Sequence, residues 1–209
     1  MNARWWHAKV DIATVLVGAL VLAACGLLAR SAVTELETSI FNAVNDLPQR
    51  LYAVVWPSMQ YGTFITIPVL SLIAFAFRRF RLGLAMLMAG VSVYLIALVV
   101  KETVERGRPG GLIDGVEARE VFGAESLGFP SGHAAVAASL TVVVAAHLSR
   151  RWAIAAAILA FAVMFGRMYV GAHLPLDLVG GAALGAMAGG VANLVIPPEP
   201  GTTGAEPVH

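Results

Sequence analysis

Long apolar runs, punctuated by short clusters of arginine, constrain this chain more than any other feature. Each run approaches the roughly 20 residues that cross a bilayer. A stretch of that kind folds as a membrane helix, because unpaired backbone polar groups are too costly in hydrocarbon. The runs fall at about 11–29, 52–77, 82–100, 131–148, 152–170 and 174–196. Of the 209 residues, 58% are hydrophobic and only 13% are charged. A soluble domain of that length cannot hide so much apolar surface in one core, and a disordered chain is excluded by the same composition. The expected fold is all-α: a six-transmembrane-helix bundle forming a single domain over 1–196. A Pro/Gly-rich tail, 197–209, is expected to be disordered and cytoplasmic.

Net charge is +1, too balanced for nucleic-acid binding by bulk charge. The single cysteine, Cys25, excludes an internal disulfide and a cysteine-based metal cluster. Its setting, Leu22-Ala23-Ala24-Cys25-Gly26, has the form of a bacterial lipoprotein processing box. The rival reading is an uncleaved first span, since Leu27-Leu28-Ala29 continues the apolar run past the cysteine. Orientation follows from the short basic segments: Arg4 and Lys9, then Arg78, Arg79 and Arg81, then Arg150 and Arg151. In a six-span frame these share one side, and the positive-inside bias makes it the cytoplasm.

Between the first two runs, Val33, Leu36, Ile40, Val44 and Leu47 recur at helical spacing, with Thr34 and Glu37 placed as a capping box. This predicts a short amphipathic helix, lying on the membrane surface or packed on the bundle. Pro57 and Pro68 are expected to kink or shorten the second span. Gly181, Gly185 and Gly189 form a stripe that continues the row begun by Asp177. It predicts close packing of the last helix within the bundle, with a homodimer interface as the alternative. The charges at 114–125 are expected to lie in a solvated loop, with Phe122 and Phe129 dipping toward lipid. His147 reads as structural, and Arg106 as a solvated charge or a headgroup contact.

The remaining ionisable residues gather at span ends: Lys101, His133, Arg167, His173 and Asp177. Alternating topology puts all five at the non-cytoplasmic face, where a lipid headgroup would lie. A transporter would instead place such groups near mid-span. Lys101, Arg108 and Arg167 are cations suited to an oxyanion. Pro130-Ser131-Gly132-His133 opens a helix whose free N–H groups suit phosphate. His173 and Asp177, four apart, share a helical face. The carboxylate can then hold the imidazole in the tautomer that leaves its other nitrogen free, which makes His173 a nucleophile candidate and His133 a candidate acid. These are the parts for phosphoryl transfer without a metal, the cations neutralising charge on the equatorial oxygens.

Lys101-x6-Arg108-Pro109, Pro130-Ser131-Gly132-His133 and Arg167-x5-His173-x3-Asp177 together resemble the three-part signature of the type 2 phosphatidic acid phosphatase (PAP2) superfamily. That superfamily includes lipid phosphate phosphatases and vanadium haloperoxidases. The resemblance implies that His173 attacks phosphorus, Asp177 orients it, and His133 serves as acid and then base. It implies that Lys101, Arg108, Ser131, Gly132 and Arg167 bind the phosphoryl oxygens, with no metal or organic cofactor. One position departs from the pattern: Gly166 stands where the third motif has serine. The expected function is hydrolysis of a lipid phosphate or pyrophosphate at the non-cytoplasmic face of a bacterial inner membrane, an isoprenoid carrier fitting best. Phosphatidic acid and phosphatidylglycerophosphate are the alternative substrates, and a non-hydrolytic lipid-binding or transport protein of the same fold is the alternative class. The partners implied are the lipid substrate and membrane lipids.

Overall fold

The computed structural model describes residues 3–121 and 126–199, with side chains from His7 onward. The expected tail lies mostly outside the described residues. Helix α1 (Ala3–Ala29) runs unbroken through Cys25, whose thiol is buried beside Phe129. Next come α2 (Glu35–Asn45), α3 (Tyr52–Met59), α4 (Thr66–Ala76), α5 (Phe80–Val104), the single turn α6 (Pro109–Leu112), α7 (Gly132–His147), α8 (Arg150–Tyr169) and α9 (Pro175–Val195). No strand occurs among the described residues.

The helices do not by themselves confirm the expected count of six crossings. Four segments are long and apolar enough: His7–Ala29, Phe80–Leu112, Arg150–Tyr169 and Pro175–Val195. A fifth exists only if α3 and α4 count as one span, and they are bent by 68°. The break lies at 63–65, between the two prolines rather than at either. Pro57 is inside α3, and Pro68 sits in the first turn of α4, where its missing N–H costs nothing. Helix α7 has 16 residues; at 1.5 Å per residue it is about 24 Å long, short of the roughly 30 Å hydrocarbon core. The outer surface is that of a membrane protein. Leu16, Leu20, Leu27, Leu72, Ile158 and Phe161 each expose more than half their surface, and several apolar helices present such faces together. The chain is a multi-pass membrane protein by this architecture.

Helix α9 is the hub, packed against α1, α5 and α7. Its glycine stripe works within the chain. A Cβ at Gly181 would stand 2.4 Å from the Ser131 carbonyl oxygen, at Gly185 2.1 Å from that of Ala135, and at Gly189 2.9 Å from that of Ser139. Only glycine permits α7 and α9 to touch backbone to backbone. At the opposite end of the bundle from the site, the buried Asp11 of α1 accepts a hydrogen bond from Asn193 Nδ2 of α9 at 3.1 Å, which accounts for a carboxylate inside the first apolar run. His147 is buried, in keeping with a structural role. Phe129 does not dip toward lipid; it is fully buried against α9, where a Cβ at Gly180 would meet its ring at 2.4 Å. Phe122 lies outside the described residues.

Candidate active site

The site is built at one end of the bundle from the C-terminal end of α5, the start of α7, the end of α8 and the turn into α9. Lys101, in the last turn of α5, donates from Nζ to the Leu127 carbonyl at 2.8 Å. Glu105 ends the helix in the left-handed conformation (φ 54°), which turns the chain so that Arg106 and Arg108 reach inward. Arg108 donates from Nε to Ser126 Oγ at 2.6 Å and from Nη1 to the Ala172 carbonyl at 3.1 Å. Its guanidinium lies within electrostatic reach of Lys101, Arg167, His133 and His173.

Ser131 caps α7, its hydroxyl accepting from the Ala134 N–H at 3.5 Å, while its own N–H donates to the Asp177 carbonyl at 2.9 Å. The hydroxyl is fully buried. Beside it the space in front of Gly132 is open, since a Cβ built there would meet nothing within 4 Å. Arg167 closes α8 and is buried, with Nη1 donating to Glu120 Oε2 at 2.9 Å. Gly166 has a packing reason. A Cβ there would stand 2.5 Å from Met59 Cγ and 3.0 Å from Val55 Cγ1 of α3, so α3 occupies the room a serine would need.

The turn from α8 into α9 uses Gly171 at φ +77°, where a Cβ would also meet the Glu117 carbonyl at 2.9 Å. His173 follows, buried, with Nδ1 3.7 Å from Asp177 Oδ2. That is ionic contact, longer than a hydrogen bond, and Nδ1 has no hydrogen-bond partner among the described residues. Burial pulls the imidazole pKa down to about 4, against the opposing effect of Asp177 and with help from Arg167 and Arg108. Asp177 is fully buried at the third position of α9. Its Oδ2 accepts from the Leu174 N–H at 2.9 Å, so it caps its own helix.

All eight residues singled out by the motifs therefore gather in one place. Four others were misread or missed. Arg106 is no solvated charge; it is 5% exposed. It donates from Nη1 to Asp177 Oδ1 at 3.0 Å and to Glu37 Oε1 at 3.0 Å, and from Nη2 to Glu37 Oε2 at 2.7 Å. Glu37 also accepts from the Leu176 N–H at 3.1 Å. Only half of the expected capping box forms: Thr34 takes the Glu37 N–H at 3.2 Å, while the Glu37 carboxylate turns to Arg106 and Leu176. Within 114–121, Asp114, Gly115, Glu117, Ala118 and Val121 are exposed, as a solvated loop requires, but Arg119 and Glu120 turn inward. Arg119 lies over the Tyr169 ring at 4.2 Å. It donates to the carbonyls of Asn45 (2.7 Å), Leu47 (2.7 Å) and Tyr169 (2.6 Å), to Gln49 and to Glu117. The Asn45 and Tyr169 carbonyls are the negative ends of α2 and α8, which attract a cation. Glu120 holds Arg167. Apart from Glu117, two residues from Arg119, the tertiary partners lie 47 to 139 residues away in sequence, beyond any local pattern; the one local signal was that Arg106, Arg119, Glu37 and Glu120 are charges flanked by apolar spans.

An all-helical membrane bundle in which the buried His173, the half-buried His133, a buried carboxylate and three cations meet at one end is a protein equipped to hold an oxyanion. The PAP2 superfamily model matches residues 78–199, more than half of the chain, and the chain belongs to that superfamily. It is 28% identical over 127 residues to an undecaprenyl-diphosphatase of Sulfolobus acidocaldarius, a match covering 60% of this chain and 61% of the relative. The chain thus spans less than two thirds of the length of that curated relative. Among solved structures it is similar in fold to LpxE of Aquifex aeolicus (TM-score 0.71, 21% identity, 78% of this chain and 98% of that one). It is also similar to a transmembrane PAP2-type phosphatidylglycerolphosphate phosphatase from Bacillus subtilis (TM-score 0.64, 24% identity, 88% and 94%).

Proposed function

We propose that this protein is a membrane phosphatase that hydrolyses a lipid phosphate or pyrophosphate through a phosphohistidine. The observation that carries this reading is the meeting of His133, His173, Asp177, Lys101, Arg108 and Arg167, drawn from four separated elements, around the open backbone of Gly132. The cations and the first N–H groups of α7 hold the phosphoryl oxygens and offset their charge. His173 presents Nδ1 toward Asp177, so Nε2 attacks phosphorus and the bond to the leaving oxygen breaks. His133 gives its proton to that oxygen, then takes one from the water that attacks the phosphohistidine, releasing phosphate and restoring His173.

An isoprenoid-linked carrier is the favoured substrate, on the strength of the undecaprenyl-diphosphatase relative. Phosphatidic acid or phosphatidylglycerophosphate is the alternative within the class. The domain is a single membrane unit over 1–196, with the site at the non-cytoplasmic face. The basic turns at Arg78–Arg81 and Arg150–Arg151 support that orientation, and it requires α7 to cross despite its length. The test is phosphate release by the purified protein from a panel of lipid phosphates and pyrophosphates, with and without EDTA. Release from none of them overturns the reading, and loss of activity in EDTA overturns the metal-free chemistry.

A further inference from the structure

We propose that Glu37 and Arg106 form a positioning pair for the nucleophile, holding the Asp177 carboxylate toward His173 while leaving it one net negative charge. The inference rests on the phosphohistidine reading above. Neither residue belongs to the three motifs, and neither touches the imidazole directly. The charged and titratable groups that face His173 are Asp177, Arg167, Arg108 and His133; Glu37 and Arg106 act on it through Asp177.

The geometry gives each member a distinct task. Asp177 has two oxygens and both are committed: Oδ1 to Arg106 Nη1 and Oδ2 to the Leu174 N–H. Two anchors on one carboxylate fix its plane, and that plane places Oδ2 beside Nδ1. With Asp177 and Arg106 alone, the ion pair would be neutral and would offer the imidazole no net negative charge against Arg167 and Arg108. Glu37 forks onto both terminal nitrogens of Arg106 and restores one negative charge to the group. The Leu176 N–H, at the start of α9, pins Glu37 in turn, so the backbone just after the nucleophile holds both carboxylates. All three side chains are 4% exposed or less, and water does not screen them.

Stability is a weak reason to keep such a triad. Buried ion clusters are commonly no better than packed apolar side chains of the same volume. A triad set against the nucleophile's orienting carboxylate does, however, serve the rate. A misplacement of about 1 Å in a catalytic constellation costs on the order of 10²-fold.

The test uses the full-length protein in detergent, with Glu37→Gln, Arg106→Gln and Arg106→Lys. Glu35→Gln, exposed on the same helix, is the control. Glutamine at 37 keeps the shape and can still accept from Arg106 and Leu176. In Glu37→Gln and Arg106→Gln, kcat is expected to fall about 10²-fold with KM within about threefold, because the phosphate clamp is untouched. Phosphoenzyme formation slows in parallel. The acid limb of kcat/KM moves to lower pH in Glu37→Gln, which loses a negative charge, and to higher pH in Arg106→Gln, which loses a positive one. Arg106→Lys keeps that limb in place yet recovers only part of kcat, since a point charge cannot bridge two carboxylates. An unchanged kcat in Glu37→Gln overturns the pair, as does displacement of both limbs in one direction. Failure of both neutral variants to fold assigns the triad to structure instead. A wild-type protein that is folded but releases phosphate from no lipid phosphate overturns the phosphatase reading, and the pair's role with it. An active wild type with normal variants overturns the pair alone.

Discussion

Replacing Asp177 with asparagine tests two consequences of one geometry. Both carboxylate oxygens accept: one from Arg106 at 3.0 Å, the other from the Leu174 N–H at 2.9 Å. An amide offers one acceptor and one donor, so either orientation turns a donor toward a donor in a site closed to water. The loss of one hydrogen bond to a charged group is about 1.5–3 kcal/mol, and the N–H left without an acceptor adds about 1–3 kcal/mol. Arg106 keeps both bonds to Glu37, so its charge is not abandoned, and the total stays near about 3–5 kcal/mol. Thermal unfolding in detergent should fall by roughly 6–20 °C. With the amide oxygen toward Arg106, the NH2 group points at His173 Nδ1, 3.7 Å away. It then favours the tautomer that protonates the attacking nitrogen. Phosphate release from the folded variant should drop about 10³–10⁴-fold. A variant that melts within about 2 °C of the wild type, or retains a tenth of its rate, would refute this account of Asp177.

His173→Ala should abolish turnover and the phosphoenzyme. His133→Ala should recover in part on a nitrophenyl phosphate, whose leaving group needs no proton, and general-acid help is worth roughly 10²–10⁴-fold on a lipid alkoxide. Equal losses on both substrates would show that His133 is not the acid. Because burial holds the His173 pKa near 4, below the ordinary imidazole value, the neutral nucleophile should persist in acid. The acid limb of kcat/KM should then lie well under pH 6, and a limb at 6.5 or above would contradict the burial. The same shift means the unfolded chain binds the proton more readily, so this residue's contribution to stability is present above about pH 6.5 and is lost as pH falls toward 4. Gly185→Ala must part α7 from α9, since its Cβ would meet the Ala135 carbonyl at 2.1 Å; destabilisation of about 1–3 kcal/mol should appear in thermal melts. A cysteine at Gly115 in a Cys25→Ser background should label from outside the cytoplasm without permeabilisation; labelling only afterwards reverses the orientation.

The sequence made the chemistry legible because each motif is local. Lys101 and Arg108, Ser131 to His133, and Arg167 to Asp177 each sit within a few residues of one another, and helix ends brought the three groups together. The glycine stripe was equally readable, since a period of four on one helix needs no knowledge of its partner. What escaped were long-range pairings. Arg106 differs from Arg108 by two positions, yet its partners are 69 and 71 residues away, and periodicity carries no such distance. Arg119 looked like a loop charge because hydropathy does not reveal that three backbone carbonyls converge on it. The six-run count is not confirmed where apolar composition outlasts helical geometry: the run at 52–77 is broken at 63–65, and α7 is shorter than its apolar stretch suggested.

The backbone contact between α7 and α9 divides what can vary in this protein from what cannot. Side chains at an ordinary helix interface can repack, and the helices then drift by fractions of an ångström as sequences change. Here glycine α-carbons of α9 face carbonyl oxygens of α7, with only the short side chains of Ala134, Ala138 and Val142 beside them, between the two helices that carry or abut His133 and His173. The separation of the two histidines is thereby insulated from substitutions at the lipid-facing positions around them. Residues on the outside of such a bundle can change without the geometry of the two histidines having to be rebuilt each time.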